Sequence, residues 1–311
     1  MPSDQSDIIN TSPEKIGQYY SSTLLRFTKA LEATINTSHA AAGLDGGQRR
    51  YWSSILLIRI GSISTSIFLL CPGNKANPEI NHWDFASVGS LARNLFECCL
   101  FFIYFTENVE ENEWKARLNV MRLHDCMERH RMFTDLGSEE EVLESFAAQA
   151  TDLRSRLTSN PYFRTLPESA QKRLLKGERA SIFTMNDTLE KLGLEQPDIW
   201  GHYRLLSSQT HSLPLGFYRT EEQNRRGEEN DVDKGYIAGA LDLSSDMLEI
   251  VVSRFQDDFK GLASFSHRDY NWSLLRSTRK APDSGTVAGV GRNAICPCGS
   301  KKKFRWCHGL E

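Results

Sequence analysis

Apolar residues recur at helical spacing through most of residues 1–270, and no stretch there shows the alternation typical of β-strands. Asp84 and the pair Ser138 and Glu141 are typical of helix starts, whereas Gly177 and Gly193 stand where helices end in a left-handed residue. The pattern predicts helices over about 14–37, 48–70, 85–108, 111–135, 139–158, 167–176, 181–192, 197–212 and 232–264. We therefore expect an all-α fold, built as a multi-helix bundle.

The most apolar stretch, residues 54–70, does not predict a membrane span. It is short and contains Arg59, whereas a spanning helix needs about 20 mostly apolar residues. The first ten residues have neither the positive start nor the apolar core of a secretory signal. Seven cysteines in 311 residues are too few for a disulfide scaffold, which favours a reducing compartment. We expect a cytoplasmic protein in which residues 54–70 form a buried helix.

Charge is distributed unevenly along the chain. Residues 271–311 carry eight Lys or Arg and two acids, so their net charge is +6, while the whole chain has a net charge of −3. Residues 1–270 therefore carry −9. Residues 280–292 contain three glycines and one proline without apolar periodicity, which is typical of a flexible linker. We predict a helical domain over 1–270, a linker over 271–291 and a small separate unit over 292–311.

Four residues near the C-terminus have the types and spacing of a structural zinc site: Cys296, Cys298, Cys307 and His308. Three thiolates and an imidazole complete a tetrahedral Zn²⁺ site, and metal binding supplies folding energy that so short a segment lacks. The neighbouring lysines and Arg305 favour the thiolate form of the cysteines. We expect one structural Zn²⁺ as the cofactor, because protein ligands fill all four positions.

The segments RNAICPCGS (292–300) and FRWCHG (304–309) resemble the SEC-C motif, a zinc-binding motif found at the C-terminus of the SecA translocation ATPase and appended to many bacterial proteins. Lys301 stands where this family usually has a glycine. The resemblance implies a small zinc-binding knob that docks onto a protein or ribosomal partner. It does not say which partner is used.

Arg93 and Glu97 stand four residues apart inside the strongly apolar predicted helix over 85–108. A charge pair in such a run is costly unless its polar groups are satisfied. Two interpretations remain open. The pair is either an ion pair within one helix that reaches the helix edge, or part of a buried network shared with another helix.

The predicted helix over 197–212 places Arg204 and His211 on one face, because seven residues make almost two full turns. One interpretation is a buried polar network that fixes helix packing. The other is catalysis, in which His211 transfers a proton and Arg204 stabilises negative charge at a phosphorus centre. The residues that could support this pair are Arg93, Glu97, Tyr203 and Ser207.

Two resemblances concern this helical region. Residues from about 15 to 260 are similar to a bacterial all-helical domain family of unknown function, in which an Arg-x3-Glu helix precedes a Tyr-x3-Ser-x3-His segment (here Arg93, Glu97, Tyr203, Ser207 and His211). Arg204 and His211 also resemble the Arg-x(4–6)-His pattern of HEPN ribonucleases of toxins and antiviral defence systems. The second resemblance implies metal-independent RNA cleavage by a dimer.

Two functions are compatible with the sequence. In the first, a helical body is joined to a basic zinc-binding knob that recruits a protein or ribosomal partner. In the second, the body is a HEPN-like ribonuclease that uses Arg204 and His211, with the basic tail holding RNA through phosphate contacts. RNA and a second copy of the chain therefore remain open as partners.

Overall fold

A computed structural model describes residues 12–44, 47–193, 197–211, 213–214 and 227–259. Within these residues the chain forms ten α-helices and no strand, as the sequence pattern predicts. The helices are α1 (Pro13–Ala40), α2 (Gly47–Leu70), α3 (Phe85–Thr106), α4 (Glu111–Asp135), α5 (Glu140–Ser159), α6 (Pro161–Thr165), α7 (Glu168–Leu175), α8 (Met185–Lys191), α9 (Pro197–Thr210) and α10 (Asp231–Asp258).

Local signals placed several helix ends correctly. The side chain of Asp84 accepts a hydrogen bond from the backbone N–H of Ser87 at 3.1 Å and so caps α3. Gly177 and Gly193 have φ angles of 71° and 65°, as expected of residues that end α7 and α8. Helix α10 ends at Asp258, six residues earlier than predicted.

Other local predictions were wrong. The expected capping box of Ser138 and Glu141 does not form, because Glu139 is the N-cap residue of α5 and its side chain makes no capping hydrogen bond. Helix α8 begins at Met185 rather than near 181, because Thr184 and Asp187 form a capping box there. The short helix α6 was not predicted. It begins at Pro161, and the side chain of Asn160 caps it by accepting a hydrogen bond from the backbone N–H of Phe163 at 2.9 Å.

Helix α3 lies at the centre of the main bundle. It contacts α2, α8, α9 and α10, and α10 in turn packs along α1. Twelve of its residues are buried, which agrees with an apolar pattern that runs nearly all round the helix. This central position brings the Arg93 and Glu97 region of α3 against α9.

A second group of helices packs beside the bundle. Helices α4 to α7 enclose a separate apolar cluster that includes Val120, Leu123, Leu153, Leu157 and Phe163. The cluster is connected to the bundle through α4, which follows α3 after a short turn and shares a further apolar cluster with it. The described chain therefore has two neighbouring cores.

By length and composition alone, two of the described helices could cross a membrane: α2, with a mean hydropathy of 1.7, and α3, with 1.3, each over its most apolar window. Protein buries 61% of that window in α3 and 44% in α2. One face of α2 packs in the core and the opposite face is exposed. The expectation that residues 54–70 form a buried helix is therefore met on only one face of α2.

The chain divides into two compact units, one of residues 1–74 and 78–270 and one of residues 75–77 and 271–311. Only residues 75–77 of the second unit are described. The predicted linker over 271–291 and the segment over 292–311 lie outside the described residues. Their boundaries therefore stay predictions.

Candidate functional site

Helices α3 and α9 are joined by a polar network around Arg93. Its Nε atom donates a hydrogen bond to Ser207 Oγ at 2.9 Å, and its Nη2 atom donates to the Tyr203 hydroxyl at 2.9 Å. The same Nη2 atom forms an ion pair with Glu97 Oε1 at 2.9 Å, and the Tyr203 hydroxyl donates to that oxygen at 3.0 Å. The intrahelical ion pair is thus extended into a network shared with another helix.

Aromatic packing holds Tyr203 in place within this Arg93 network. The guanidinium carbon of Arg93 lies 5.2 Å from the centre of the Tyr203 ring, and the rings of Phe96 and Trp200 lie 6.1 and 5.9 Å from it. Such contacts fix both the ring and the hydroxyl that donates to Glu97. The network is therefore ordered by packing as well as by hydrogen bonds.

Close approach of the two helices depends on Gly89. A Cβ atom at this position would lie 3.2 Å from the Gln209 side chain of α9 and 3.2 Å from the Phe85 ring. The missing side chain therefore allows α9 to pack closely against α3. This separation brings the short Ser207 side chain within hydrogen-bonding distance of Arg93.

The Arg93 network is partly open to solvent. The side chain of Arg93 is 17% exposed and that of Glu97 is 44% exposed. Its polar groups therefore keep access to water, and the interaction is weaker than that of a fully desolvated pair. The arrangement suits a rigid, water-accessible edge between two helices.

Arg204 and His211 lie on the exposed side of α9, outside the Arg93 network. Helix α9 ends at Thr210, so His211 stands just beyond it, and its backbone N–H donates to the Ser207 carbonyl oxygen at 3.1 Å. Neither side chain makes a hydrogen bond or ion pair with any described residue. The structure therefore brings Arg93, Glu97, Tyr203 and Ser207 together and leaves the proposed catalytic pair at the surface.

The predicted zinc ligands Cys296, Cys298, Cys307 and His308 lie outside the described residues. Among the residues that are described, no group of three or more His, Cys, Asp or Glu could hold a metal ion. Burial raises the pKa of the Cys71 thiol to about 12 and that of Cys98 to about 11, so both stay protonated at neutral pH. The described part of the chain thus offers no competing metal site.

One buried polar cluster, around Arg117, was not predicted from the sequence. Arg117 of α4 is fully buried, forms an ion pair with Glu113, and makes another with Glu107 at 2.7 Å. It also donates to the Tyr104 carbonyl oxygen, and its guanidinium lies 4.5 Å from the Tyr104 ring centre. The four-residue spacing from Glu113 to Arg117 was the available signal, but it is equally typical of exposed helix pairs.

Two regions of the chain match known protein families. Residues 50–228 match the model of a family of unknown function (DUF5677), within the region of about 15–260 for which a helical family was expected. Residues 292–310 match the SEC-C motif, which confirms that resemblance. No solved structure matches the chain significantly.

Several relatives are SecA protein translocase subunits. Identity is 45% over 47 residues with SecA 1 of Bordetella avium, covering 14% of this chain and 5% of the relative. Identity is 28% over 191 residues with SecA of Rickettsia peacockii, covering 61% of this chain and 18% of the relative. Identity is 58% over 31 residues with SecA of Bartonella bacilliformis, covering 10% of this chain and 3% of the relative. The chain thus spans less than a fifth of the length of these relatives.

The two family matches divide the chain between a helical region and a short C-terminal motif. Neither family description gives an activity for the helical region, which contains the Arg93 network. Because the helical family model covers more than half of its length, the chain belongs to the DUF5677 family, and it carries a SEC-C motif at residues 292–310.

Proposed function

We propose that the chain is a zinc-binding recruitment protein, in which the C-terminal SEC-C motif docks onto a protein or ribosomal partner. The observation that carries this proposal is the SEC-C match over 292–310, which contains Cys296, Cys298, Cys307 and His308. Thiolate and imidazole are the ligands of closed structural zinc sites. The bound ion would order a segment that is too short to form an apolar core.

The charge of this region supports a partner of opposite sign. Residues 271–311 carry a net charge of +6, and the helical region before them carries −9. A basic segment is attracted to acidic protein surfaces and to ribosomal RNA, with a strength that falls as salt is added. Free thiolates are kept available for zinc in a reducing compartment, so we place the protein in the cytoplasm.

Zinc content of the purified full chain tests the metal. We expect about one Zn²⁺ per chain in the wild type, and loss of the ion in Cys307→Ser, because a ligand is removed. Cys98→Ser is the matched control, since Cys98 lies in α3 outside the motif. Retention of a full equivalent by Cys307→Ser would contradict the proposed ligand set.

Cosedimentation with purified ribosomes separates the two partner classes. Wild-type pelleting that weakens with salt and disappears in Cys307→Ser indicates a ribosomal partner. If the zinc-loaded wild type stays in the supernatant at low salt, ribosomes are excluded and the partner is a protein. Pelleting that is unchanged in Cys307→Ser would show that the motif is not the docking element.

RNA cleavage by Arg204 and His211 is the second candidate function. The observation in its favour is that both side chains are exposed on α9, where a substrate could reach them. This second function predicts that the wild-type protein degrades mixed RNA and that His211→Ala and Arg204→Ala are inactive at an unchanged thermal midpoint. Intact RNA with the wild type would leave both residues as surface residues.

A further inference from the structure

Three exposed apolar side chains form a ridge along the first half of α2. Tyr51, Ile55 and Ile58 are four and three residues apart, so they lie on one side of the helix, and we call them the α2 ridge. Tyr51 is 61% exposed and Ile58 is 58% exposed. The opposite face of α2, which includes Leu57 and Ile60, is buried in the core. The α2 ridge is therefore held outward by a helix that is fixed in the fold.

Arginines border the α2 ridge on the side of α4. Arg59 is exposed and follows Ile55 by four residues, so the two side chains are neighbours on the helix surface. Trp52, three residues before Ile55, brings Arg122 of α4 to the same side, because the guanidinium carbon of Arg122 lies 5.9 Å from the centre of the Trp52 ring. Positive charge thus lies directly beside the apolar side chains.

These arginines have no acidic partner in the described part of the chain. The guanidinium groups of Arg59 and Arg122 form no ion pair and no hydrogen bond with any described residue. The same is true of Arg50 at the start of α2, whose guanidinium carbon lies 4.9 Å from the centre of the Phe259 ring. Ring contacts order Arg50 and Arg122 while leaving their N–H donors available.

Helix α2 adds positive charge and no negative charge. It contains three arginines and no Asp or Glu, and the third arginine, Arg49, is the one that has an acidic partner, Glu111 at 3.8 Å. Residues 1–270 as a whole carry a net charge of −9. The first half of α2 is therefore a positive and apolar surface on an otherwise acidic body.

This combination favours an anionic lipid surface over other occupants. An apolar face beside a cationic one is typical of helices that lie in the plane of a membrane, with the apolar side chains about 5–10 Å into the headgroup region. Tyrosine and tryptophan, here Tyr51 and Trp52, are enriched at that depth. A nucleic acid would leave Ile55 and Ile58 without an apolar partner, and a second copy of the chain would bring like charges together.

The buried face of α2 decides that the helix lies on a membrane and does not span it. Protein buries 44% of its most apolar window, and that buried part belongs to the core. Spanning would remove these residues from the core, whereas docking through the α2 ridge uses side chains that are already exposed. The fold can therefore stay intact on the membrane surface.

We propose that the α2 ridge, with Arg50, Arg59 and Arg122 beside it, docks the protein reversibly onto an anionic membrane surface. This goes beyond the recruitment function, and neither depends on the other. Each arginine near an anionic surface strengthens binding about fivefold, and an apolar side chain as exposed as Ile58 adds about 10-fold when it is inserted. Binding is therefore sensitive to salt and to lipid charge.

Flotation of the full chain with lipid vesicles tests the docking. We expect the wild type to float with vesicles of phosphatidylcholine mixed with phosphatidylglycerol, and to stay at the bottom of the gradient with phosphatidylcholine alone. Ile58→Gln should lower the partition coefficient for the mixed vesicles about 10-fold, because it removes an inserted apolar side chain. Arg59→Gln should lower it about fivefold, because it removes one charge.

Leu136→Gln and Arg156→Gln are the matched controls, and both should float as the wild type does. Leu136 is exposed and lies at the end of α4, and Arg156 is exposed on α5, so each receives the same change as a test variant but away from the α2 ridge. Circular dichroism confirms that every variant folds. The basic segment over 271–311 is unchanged in all of them, so lipid binding by that segment alone would not distinguish the variants.

Equal flotation of the wild type and Ile58→Gln would overturn the proposal, because another part of the chain would then bind the lipid. A wild type that does not float with the mixed vesicles would also overturn it, and the α2 ridge would then be left to a protein partner. Zinc content and ribosome binding of Ile58→Gln should match those of the wild type. Failure of the membrane docking is therefore distinguishable from failure of the recruitment function.

Discussion

Two arginine–glutamate pairs of this chain have the same four-residue spacing but very different surroundings. Arg93 and Glu97 lie at the edge between α3 and α9, where hydroxyl groups complete the network and water reaches it. Glu113 and Arg117 belong to α4, and the Arg117 side chain is fully buried against the end of α3. Spacing along a helix therefore predicts that a pair forms, and burial decides how much the fold depends on it.

The largest effect is expected at Arg117. Replacing Arg117 with Met removes the guanidinium that donates to the carboxylates of Glu107 and Glu113 and to the Tyr104 carbonyl oxygen. Removing one partner of a buried charge pair costs about 3–5 kcal/mol, and we expect the lower end of that range because the carboxylates left behind are 33% and 17% exposed. Urea denaturation followed by circular dichroism measures this loss in the free energy of unfolding.

Arg129→Met is the control for that experiment. Arg129 pairs with Asp125 in the same helix, but both side chains are exposed, so the expected loss is below about 1 kcal/mol. Equal stability of Arg117→Met and Arg129→Met would show that burial is not what distinguishes the two pairs.

A smaller effect is expected at Arg93. Arg93→Met removes the donor to Ser207 and Tyr203, but these groups and Glu97 keep access to water, so the expected loss is about 1–2 kcal/mol. Because the network joins α9 to α3, amide hydrogen exchange should speed up in α9 more than in α4. A loss as large as that of Arg117→Met would contradict the difference between the two sites.

The smallest effect concerns the pH dependence of stability through Glu107. Burial acts to raise the pKa of Glu107, but the hydrogen bond and charge of Arg117, together with Lys191, outweigh it and lower that pKa. A carboxyl group whose pKa is lowered by folding stabilises the fold above its unfolded pKa of about 4.3, and this contribution is lost as pH falls through the folded pKa.

We therefore expect Glu107→Gln to be less stable than the wild type at pH 7, and the difference to shrink as pH falls from about 5 to about 3. Urea denaturation at a series of pH values measures it. Added salt should reduce the difference at pH 7, because the Glu107 side chain is one-third exposed. A difference that grows toward low pH would mean that the sign of the pKa shift is wrong.

The helices themselves were largely predictable from the sequence. Apolar periodicity and the capping signals of Asp84, Gly177 and Gly193 act within a few residues, so they remain visible in one chain. Errors occurred where two local signals competed. Glu139 rather than Ser138 became the N-cap residue of α5, and such choices depend on free-energy differences of about 1 kcal/mol.

The site was predictable only in part. The sequence named Arg93, Glu97, Tyr203 and Ser207 together, and the structure joins all four. It also grouped Arg204 and His211 with them, but both side chains lie on the exposed side of α9. Whether a residue on a helix faces a neighbour depends on how that helix is rotated in the bundle, which local periodicity does not define for polar residues.

The sequence by itself determined the all-α class, the charge difference between the body and the tail, and the SEC-C motif, because each depends on residue types at short spacing. Only the tertiary structure decided that Arg117 is fully buried while Arg93 stays partly exposed, and that α3 is more deeply buried than α2. Burial is set by residues that are distant in sequence and adjacent in space. Two helices of similar composition therefore acquire different roles once packing assigns their neighbours.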